Sequence, residues 1–332
     1  MEVKTYDQLL RYLEKEAVNH IAYYHYTRWE CLRKMLTDST CKDGARHKFL
    51  LLTRASKTND GIEEKWPKNY YMACFSLSRY EDVAMWLNYG KRQPDSVRIK
   101  ITRDAMDDWL AIKKHDVYGV HQDKGEIRFG DNISGRVKSV KLYGLAYVIP
   151  SHHWVTEADA IFSSPGSSEY VTQDSNIELG RKFFKVAKNG SYKWVDAIYK
   201  GKDLSKKGIP PVFKKRGWAY EREIRLVVEM DPAYNVGDRI AVAFDRPFDE
   251  LLRYMNMPGS KRKKCLLGGV MTPKVKVLDR RFPMIQSGPW YDGHAGAVGI
   301  GKFKLRDAFH SEYQNEIKMI FPGDEKNSKG VR

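Results

Sequence analysis

Cysteine is scarce in this chain, and long apolar runs are missing. The four cysteines are Cys31, Cys41, Cys74 and Cys265, and no two stand at zinc-ligand spacing, so neither a zinc module nor a disulfide framework is expected. Cys31 and Cys74 fall in apolar patterns, which suits buried thiols in a reducing compartment. No run approaches the roughly 18 apolar residues that a membrane span needs. The first residues, Met1-Glu2-Val3-Lys4, open no apolar stretch, so a secretory leader and a membrane role are not expected and a cytoplasmic location is. Internal repeats and clean linkers are absent. So is any evident Ser-His-Asp or Cys-His arrangement. The pair His152-His153, with Glu157 and Asp159 following, sits in a loop pattern where adjacent histidines are incidental, so no metal is expected. Residues 296–302 nearly spell a phosphate-binding loop. Phe303 stands where a serine or threonine must hold magnesium, and no buried strand precedes the run, so nucleotide hydrolysis is not expected.

Acid is also in deficit. Lys plus Arg number 58 against 42 Asp plus Glu, a formal net charge of +16. Such an excess favours a polyanionic partner, because each neutralised phosphate releases counterions. A basic surface serving solubility, or one that docks an acidic protein, is the competing account. With 42% hydrophobic and 12% aromatic residues, the chain has ample material for a packed core and is not a disordered polymer.

Hydrophobic periodicity predicts many short strands with scattered helices. Strands are expected over 22–27, 48–53, 70–77, 97–101, 137–148, 220–230, 239–244 and 266–271. Helices are expected after Asp7, over 29–36, from Ser78 with Glu81 completing a capping box, and over 104–112, 192–199 and 248–255. The mixture predicts an α+β fold with a mainly antiparallel sheet and peripheral helices. The expected organisation is an N-terminal helix over 1–19, a main domain over 20–275 and a C-terminal extension over 276–332 with a frayed tail.

Three separated segments carry the polar chemistry. In Tyr24-His25-Tyr26-Thr27, strand alternation sets His25 and Thr27 on one face, where they can bond ribose hydroxyls, while the backbone at Tyr26 can clamp a flat amide. A satisfied core histidine in an aromatic strand explains the same residues. In the second segment Ser76 and Ser78 share a face. Trp86 and Tyr89 follow on a helix, where an indole can wall a flat ring or simply fill the core. In the third, Glu221, Glu223 and Arg225 line one face of a strand, with the two carboxylates roughly 7 Å apart. An exposed, weakly paired charged face is the alternative.

Taken in order, these motifs resemble the ADP-ribosyltransferase superfamily, in particular its histidine-type branch of bacterial nucleic-acid-modifying toxins. The layout also resembles a broad bacterial family in which an Asn-Asp turn with a nearby Glu precedes a Phe-Ser strand, a Trp-x-x-Tyr helix and a Trp-x-x-Glu-x-Glu-x-Arg strand. Here these are Asn59-Asp60 with Glu63, Phe75-Ser76, Trp86 with Tyr89, and Trp218 with Glu221, Glu223 and Arg225. Tyr26 departs from the glycine usual at its position, and Phe75, Tyr80, Trp86 and Tyr89 compete for the second-motif aromatic.

The resemblance implies an ADP-ribosyltransferase-like split sheet and NAD as co-substrate. Glu223 is the favoured catalytic carboxylate and Glu221 the second. His25, Tyr26, Thr27, Ser76, Trp86, Tyr89 and Arg225 would hold NAD. The basic residues Lys206, Lys207, Lys214, Lys215 and Arg216 would guide nucleic acid, RNA in preference to DNA, and an antitoxin protein would restrain the activity. A non-catalytic binding module on the same fold, or a transferase acting on protein side chains, is the alternative.

Overall fold

The computed structural model describes residues 6–18, 20–58, 68–78, 81, 83–90, 93–123, 126–148, 184–186, 192–194, 210–215, 221–234, 236–259, 261–262, 283–311 and 313. In chain order the elements begin with α1 (Tyr6–Ala17), β1 (Ala22–Arg28), α2 (Trp29–Leu36), β2 (Ser39–Thr40), β3 (Arg46–His47), β4 (Phe49–Arg54) and β5 (Tyr70–Ser76). Next come α3 (Val83–Gly90), β6 (Ser96–Thr102), α4 (Arg103–Leu110), β7 (Val117–Asp123), β8 (Glu126–Asn132), β9 (Val137–Gly144) and β10 (Ala146–Val148). The rest are β11 (Phe184–Val186), β12 (Tyr192–Trp194), β13 (Phe213–Lys215), β14 (Glu223–Met230), β15 (Arg239–Ala243), α5 (Asp245–Met255), β16 (Met284–Ser287) and β17 (Phe309–His310). The fold is α+β with mostly antiparallel strands, as the periodicity predicts.

Two compact units share these elements, and neither is continuous in sequence. The first unit comprises Met1–His20, Ser39–Leu77 and Leu110–Ala243. Its strands run β9-β14-β5-β4-β15-β7-β8, every pairing antiparallel. β14 is paired along both edges, by β5 and β9, and all its residues are buried apart from Glu229. Ile224, Leu226 and Val228 supply the apolar face that a central strand requires. Phe49 stacks on Phe129 at 4.3 Å and meets Tyr118 edge-on at 5.4 Å, closing the core beneath β4, β7 and β8. α1 lies against β9, with Glu14 paired to Lys141 at 2.5 Å.

The second unit comprises Ile21–Asp38, Ser78–Trp109 and Phe244–Arg332. Here β1 and β16 flank β6 in antiparallel register, and β17 adds to β16 in parallel. Residues 284–310, expected as part of an extension, therefore supply two strands of this unit's sheet. α3 lies against β1 and β6, and α5 against α2 and β6. Trp29, Leu32, Met35 and Leu36 of α2 are buried, as their helical spacing predicts. Trp29 donates its indole N–H to the Val298 carbonyl at 2.8 Å. Gly296, the first glycine of the near-miss phosphate loop, has φ +68° and faces Trp29 and Leu305, and a Cβ there would sit 2.6 Å from the Leu305 Cβ. The run serves a turn closed on Trp29, followed by a single 3-10 turn, Leu305–Asp307, and not by an α-helix that could hold phosphate.

Several expectations are corrected. Residues 192–194 form a strand paired antiparallel with β11, where a helix over 192–199 was expected. The alternation Tyr-Lys-Trp has a period of two, and aromatic residues favour strands. The β7–β8 hairpin had no counterpart in the expected elements. Gly119 lies at its register shift, and Gly130 packs where a Cβ would meet the His121 ring at 3.1 Å, so glycine interrupts the apolar alternation of both strands. α3 begins at Val83 and not at Ser78, and the Glu81 carboxylate expected to close a capping box accepts from the Trp86 indole N–H at 2.9 Å. Cys31 is exposed, whereas Cys41 is buried. The expected strand over 266–271 lies outside the described residues.

Candidate functional site

The first unit buries four charged side chains against one another. Glu223 opens β14 and pairs in register with Ser76 of β5, and Arg225 pairs with Cys74. Glu221 precedes the strand. Between the two glutamates Arg222 adopts φ +43°, the left-handed region that a long side chain rarely enters. Such a residue is held there by its surroundings. The Leu77 N–H donates to the Arg222 carbonyl at 3.0 Å, and the Ser76 hydroxyl donates to the Glu221 carbonyl at 2.9 Å. This kink ends simple strand alternation before Glu221, which corrects the expected strand over 220–230. It nevertheless brings Glu221 to the same point as Glu223.

That point is the Lys214 ammonium. Lys214 on β13 donates to Glu221 Oε2 and to Glu223 Oε2, each at 2.5 Å. The other oxygen of Glu223 accepts from Arg225 Nε at 2.6 Å, and Arg225 also donates to the Pro211 carbonyl at 2.9 Å. The Cys74 thiol donates to Glu223 as well. Exposure is 5% for Lys214, 2% for Glu223 and 0% for Arg225. The alternative of an exposed, weakly paired face is therefore overturned: the charges are interior and compensated pair by pair, as burial demands.

The two carboxyls separate in proton affinity. Burial pushes Glu221 up to about 7, with Lys214 opposing the rise and Glu223 adding to it. Burial alone would raise Glu223 too, but Arg225 and Lys214 hold it well below the usual carboxylate range. Lys214 stays protonated, since the two glutamates outweigh the cost of burying its charge. Burial and the neighbouring Glu223 push the Cys74 thiol up, so it remains a donor.

These shifts fix a pH dependence. Glu221 binds its proton more tightly in the folded state, so its contribution to stability declines as pH rises from about 4.5 through about 7. Glu223 has the opposite sign: its contribution is present above its unfolded value and lost as pH falls through the depressed folded one. Glu221→Gln is expected to flatten the decline between about pH 5 and about pH 8. Urea midpoints of the variant and the parent across that range check it. A parent midpoint that does not fall over the range contradicts the assignment.

In the second unit, His25 and Thr27 are half-buried on one face of β1, opposite Ile99 and Val97 of β6. Tyr24 and Tyr26 share the other face with Arg98, whose guanidinium lies 4.6 Å from the Tyr24 ring and donates to the Tyr26 hydroxyl at 3.3 Å. Trp86, with 0% exposure, meets Tyr26 edge-on at 4.8 Å, and Met85, Tyr89 and Trp290 complete the cluster.

Several predicted site residues are thus reassigned. Lys214 is not part of a nucleic-acid surface, because its ammonium is spent on two buried carboxylates. Arg225 pairs with Glu223 and has no surface to offer a phosphate. The Ser76 hydroxyl fixes the Glu221 carbonyl and is buried. Trp86 is core at 0% exposure, with Gly90 and Gly288 packed beside its ring. The structure brings together Glu221, Glu223 and Arg225 in the first unit, and Tyr26, Trp86 and Tyr89 in the second. Lys206, Lys207 and Arg216 lie outside the described residues, as do Asn59, Asp60, Glu63, Tyr80, Trp218 and the His152-His153 pair. Of Lys215 only the backbone, in β13, is described. Sequence reasoning missed Lys214 as a cluster member, since a lysine inside a basic run reads as surface.

No protein-family model, curated protein or solved structure matches this chain. Among the described residues no group of His, Cys, Asp and Glu is arranged to hold a metal ion, and no helix is long and apolar enough to cross a membrane.

Proposed function

We propose that this protein is an NAD-dependent ADP-ribosyltransferase on an ADP-ribosyltransferase-like split sheet, that it modifies nucleic acid, RNA in preference to DNA, and that it is a toxin restrained by a partner protein. One observation carries the reading: two glutamates flanking a strained residue converge on one ammonium with their proton affinities driven apart. Pairs of carboxyls separated in this way divide acid-base and electrostatic roles between them. Glu223, held ionised, is the fixed anion that a ribose 2′-hydroxyl needs as the C1′–N bond stretches towards an oxocarbenium ion. Glu221, with a pKa of about 7, is matched to accept the nucleophile's proton near neutral pH. In the second unit, His25 and Thr27 are half-buried side chains able to bond sugar hydroxyls. The charge of +16 favours a polyanionic acceptor.

A second reading, a non-catalytic binding module, is favoured by the saturation of both Glu223 oxygens at 2% exposure. Incubating the purified protein with NAD labelled on its adenylate half, together with RNA, DNA or protein extract, separates the two. Release of nicotinamide and label on RNA are expected, both abolished in Glu223→Gln, with thermal melts of the variant recorded alongside. No release in any mixture establishes the binding-module reading, and label on protein alone overturns the nucleic-acid acceptor.

A further inference from the structure

The two carboxylates that the proposed chemistry needs are closed off. Glu221 is 1% exposed and Glu223 2%. Lys214 donates to an oxygen of each at 2.5 Å, Arg225 takes the other oxygen of Glu223 at 2.6 Å, and the Cys74 thiol donates to Glu223 as well. While those donors stand, a substrate hydroxyl meets oxygens that are already taken.

These three donors are not held alike. Arg225 lies two residues along β14 from Glu223, and Cys74 pairs with Arg225 across the β5–β14 ladder. Both belong to the first unit's large sheet, and neither can leave without breaking it. Lys214 comes from β13, which pairs in parallel with β10, Tyr147 standing opposite Lys214. Among the described residues no ladder joins this two-stranded ribbon to the large sheet. The last β9 residue paired to β14 is Gly144, opposite Ile224, and β10 starts at Ala146. The ribbon therefore departs from the sheet at the Glu223 end of β14. Pro210 and Pro211, just ahead of β13, bring no N–H to any ladder. Side chains hold the ribbon down instead: buried Val212, the Lys214 ammonium, and Arg225 donating to the Pro211 carbonyl at 2.9 Å.

We infer that Lys214 is an autoinhibitory plug, an internal cation that occupies the Glu221–Glu223 pair until the β10–β13 ribbon shifts off the sheet. The ammonium is a compact positive charge with several N–H donors on a flexible stem. A ribose on its way to an oxocarbenium ion is a positive charge with O–H donors. The same two anions suit either, and only one can be there. The plug rests on the transferase reading for what it inhibits, whereas the ribbon as a detachable cover over two carboxylates rests on the strand pairing and the side-chain bonds. The parent works only through its minor open population, so its rate is the open form's rate multiplied by that fraction. Removing a plug raises turnover, and removing a catalytic group lowers it.

Amide hydrogen exchange and nicotinamide release from NAD, measured on the full chain for the parent, Lys214→Ala and Val212→Ala, test the plug. Lys214→Ala removes the cation. Val212→Ala leaves every charge in place and trims an apolar hold on the ribbon, so it carries the test should Lys214→Ala fail to fold. In Lys214→Ala the amides of 146–148 and 213–215 are expected to lose protection by at least about tenfold, and nicotinamide release to rise by at least about tenfold. In Val212→Ala both changes are expected at roughly three- to tenfold. The amides of 223–230 should keep their protection in both, because the ribbon opens without the sheet. Equal loss of protection in β13 and β14 overturns the inference, since Lys214 then holds the whole unit together. Release that falls in both variants while the ribbon opens also overturns it, since Lys214 then serves the reaction. Release by the parent that neither variant raises keeps the transferase and removes the plug. An opened ribbon with no nicotinamide released by any form removes the transferase and keeps the detachable cover.

Discussion

Lys214→Met is expected to lower the unfolding free energy by about 3–5 kcal/mol at neutral pH, the loss typical when one partner of a buried ion pair is removed. Methionine nearly fills the volume of the lysine stem, so the loss comes from charge and not from a cavity. Without the ammonium, Glu221 and Glu223 face each other in the interior with only Arg225 in compensation. Glu221 then takes up a proton still more readily, since its pKa already stands at about 7. The penalty should therefore shrink as pH falls, a signature that a packing defect would lack. Exposed pairs give the contrast. Lys42 and Asp131, 2.8 Å apart and both largely solvated, form a pair that water screens and that adds little to stability. Urea titrations of the parent and Lys214→Met at about pH 5 and about pH 8 measure the effect. A loss under about 1 kcal/mol at both would mean that the ammonium is not committed to the two carboxylates.

The strands that carry alternating or β-branched residues were legible: β1, β4, β5, β6 and β15 fall where the periodicity places them. The helices α2 and α5 do too, their buried stripes Trp29-Leu32-Met35-Leu36 and Phe248-Leu251-Tyr254-Met255 repeating at three and four residues. The site was legible only as composition. Glu221, Glu223 and Arg225 are close in sequence, so their grouping needed no long-range information. Two facts did. The left-handed backbone of Arg222 breaks the alternation, and an arginine gives no sign of it because glycine or asparagine is the residue that marks such a turn. Lys214 comes from a separate strand through a parallel pairing of β13 with β10, which sequence periodicity does not encode.

Replacing all four charges together, as Lys214→Met with Glu221→Leu, Glu223→Leu and Arg225→Met, is expected to recover the stability that Lys214→Met alone loses. The combined variant should equal the parent or exceed it by about 1–4 kcal/mol, because apolar side chains of similar volume escape the cost of desolvating ions. Under the proposed transferase reading, NAD consumption vanishes in the same variant. The two outcomes bear on why a chain would keep two carboxylates, an ammonium and a guanidinium inside a sheet. A cluster that the fold can replace by hydrocarbon at no loss is retained for what its charges do. Glu223 as a fixed anion and Glu221 as a proton acceptor are things they can do. Urea midpoints of the parent, the single variant and the combined variant, read with nicotinamide release from each, decide the matter. A combined variant less stable than Lys214→Met alone would make the charges part of the packing itself. Undiminished nicotinamide release from a stable combined variant would remove both glutamates from the chemistry.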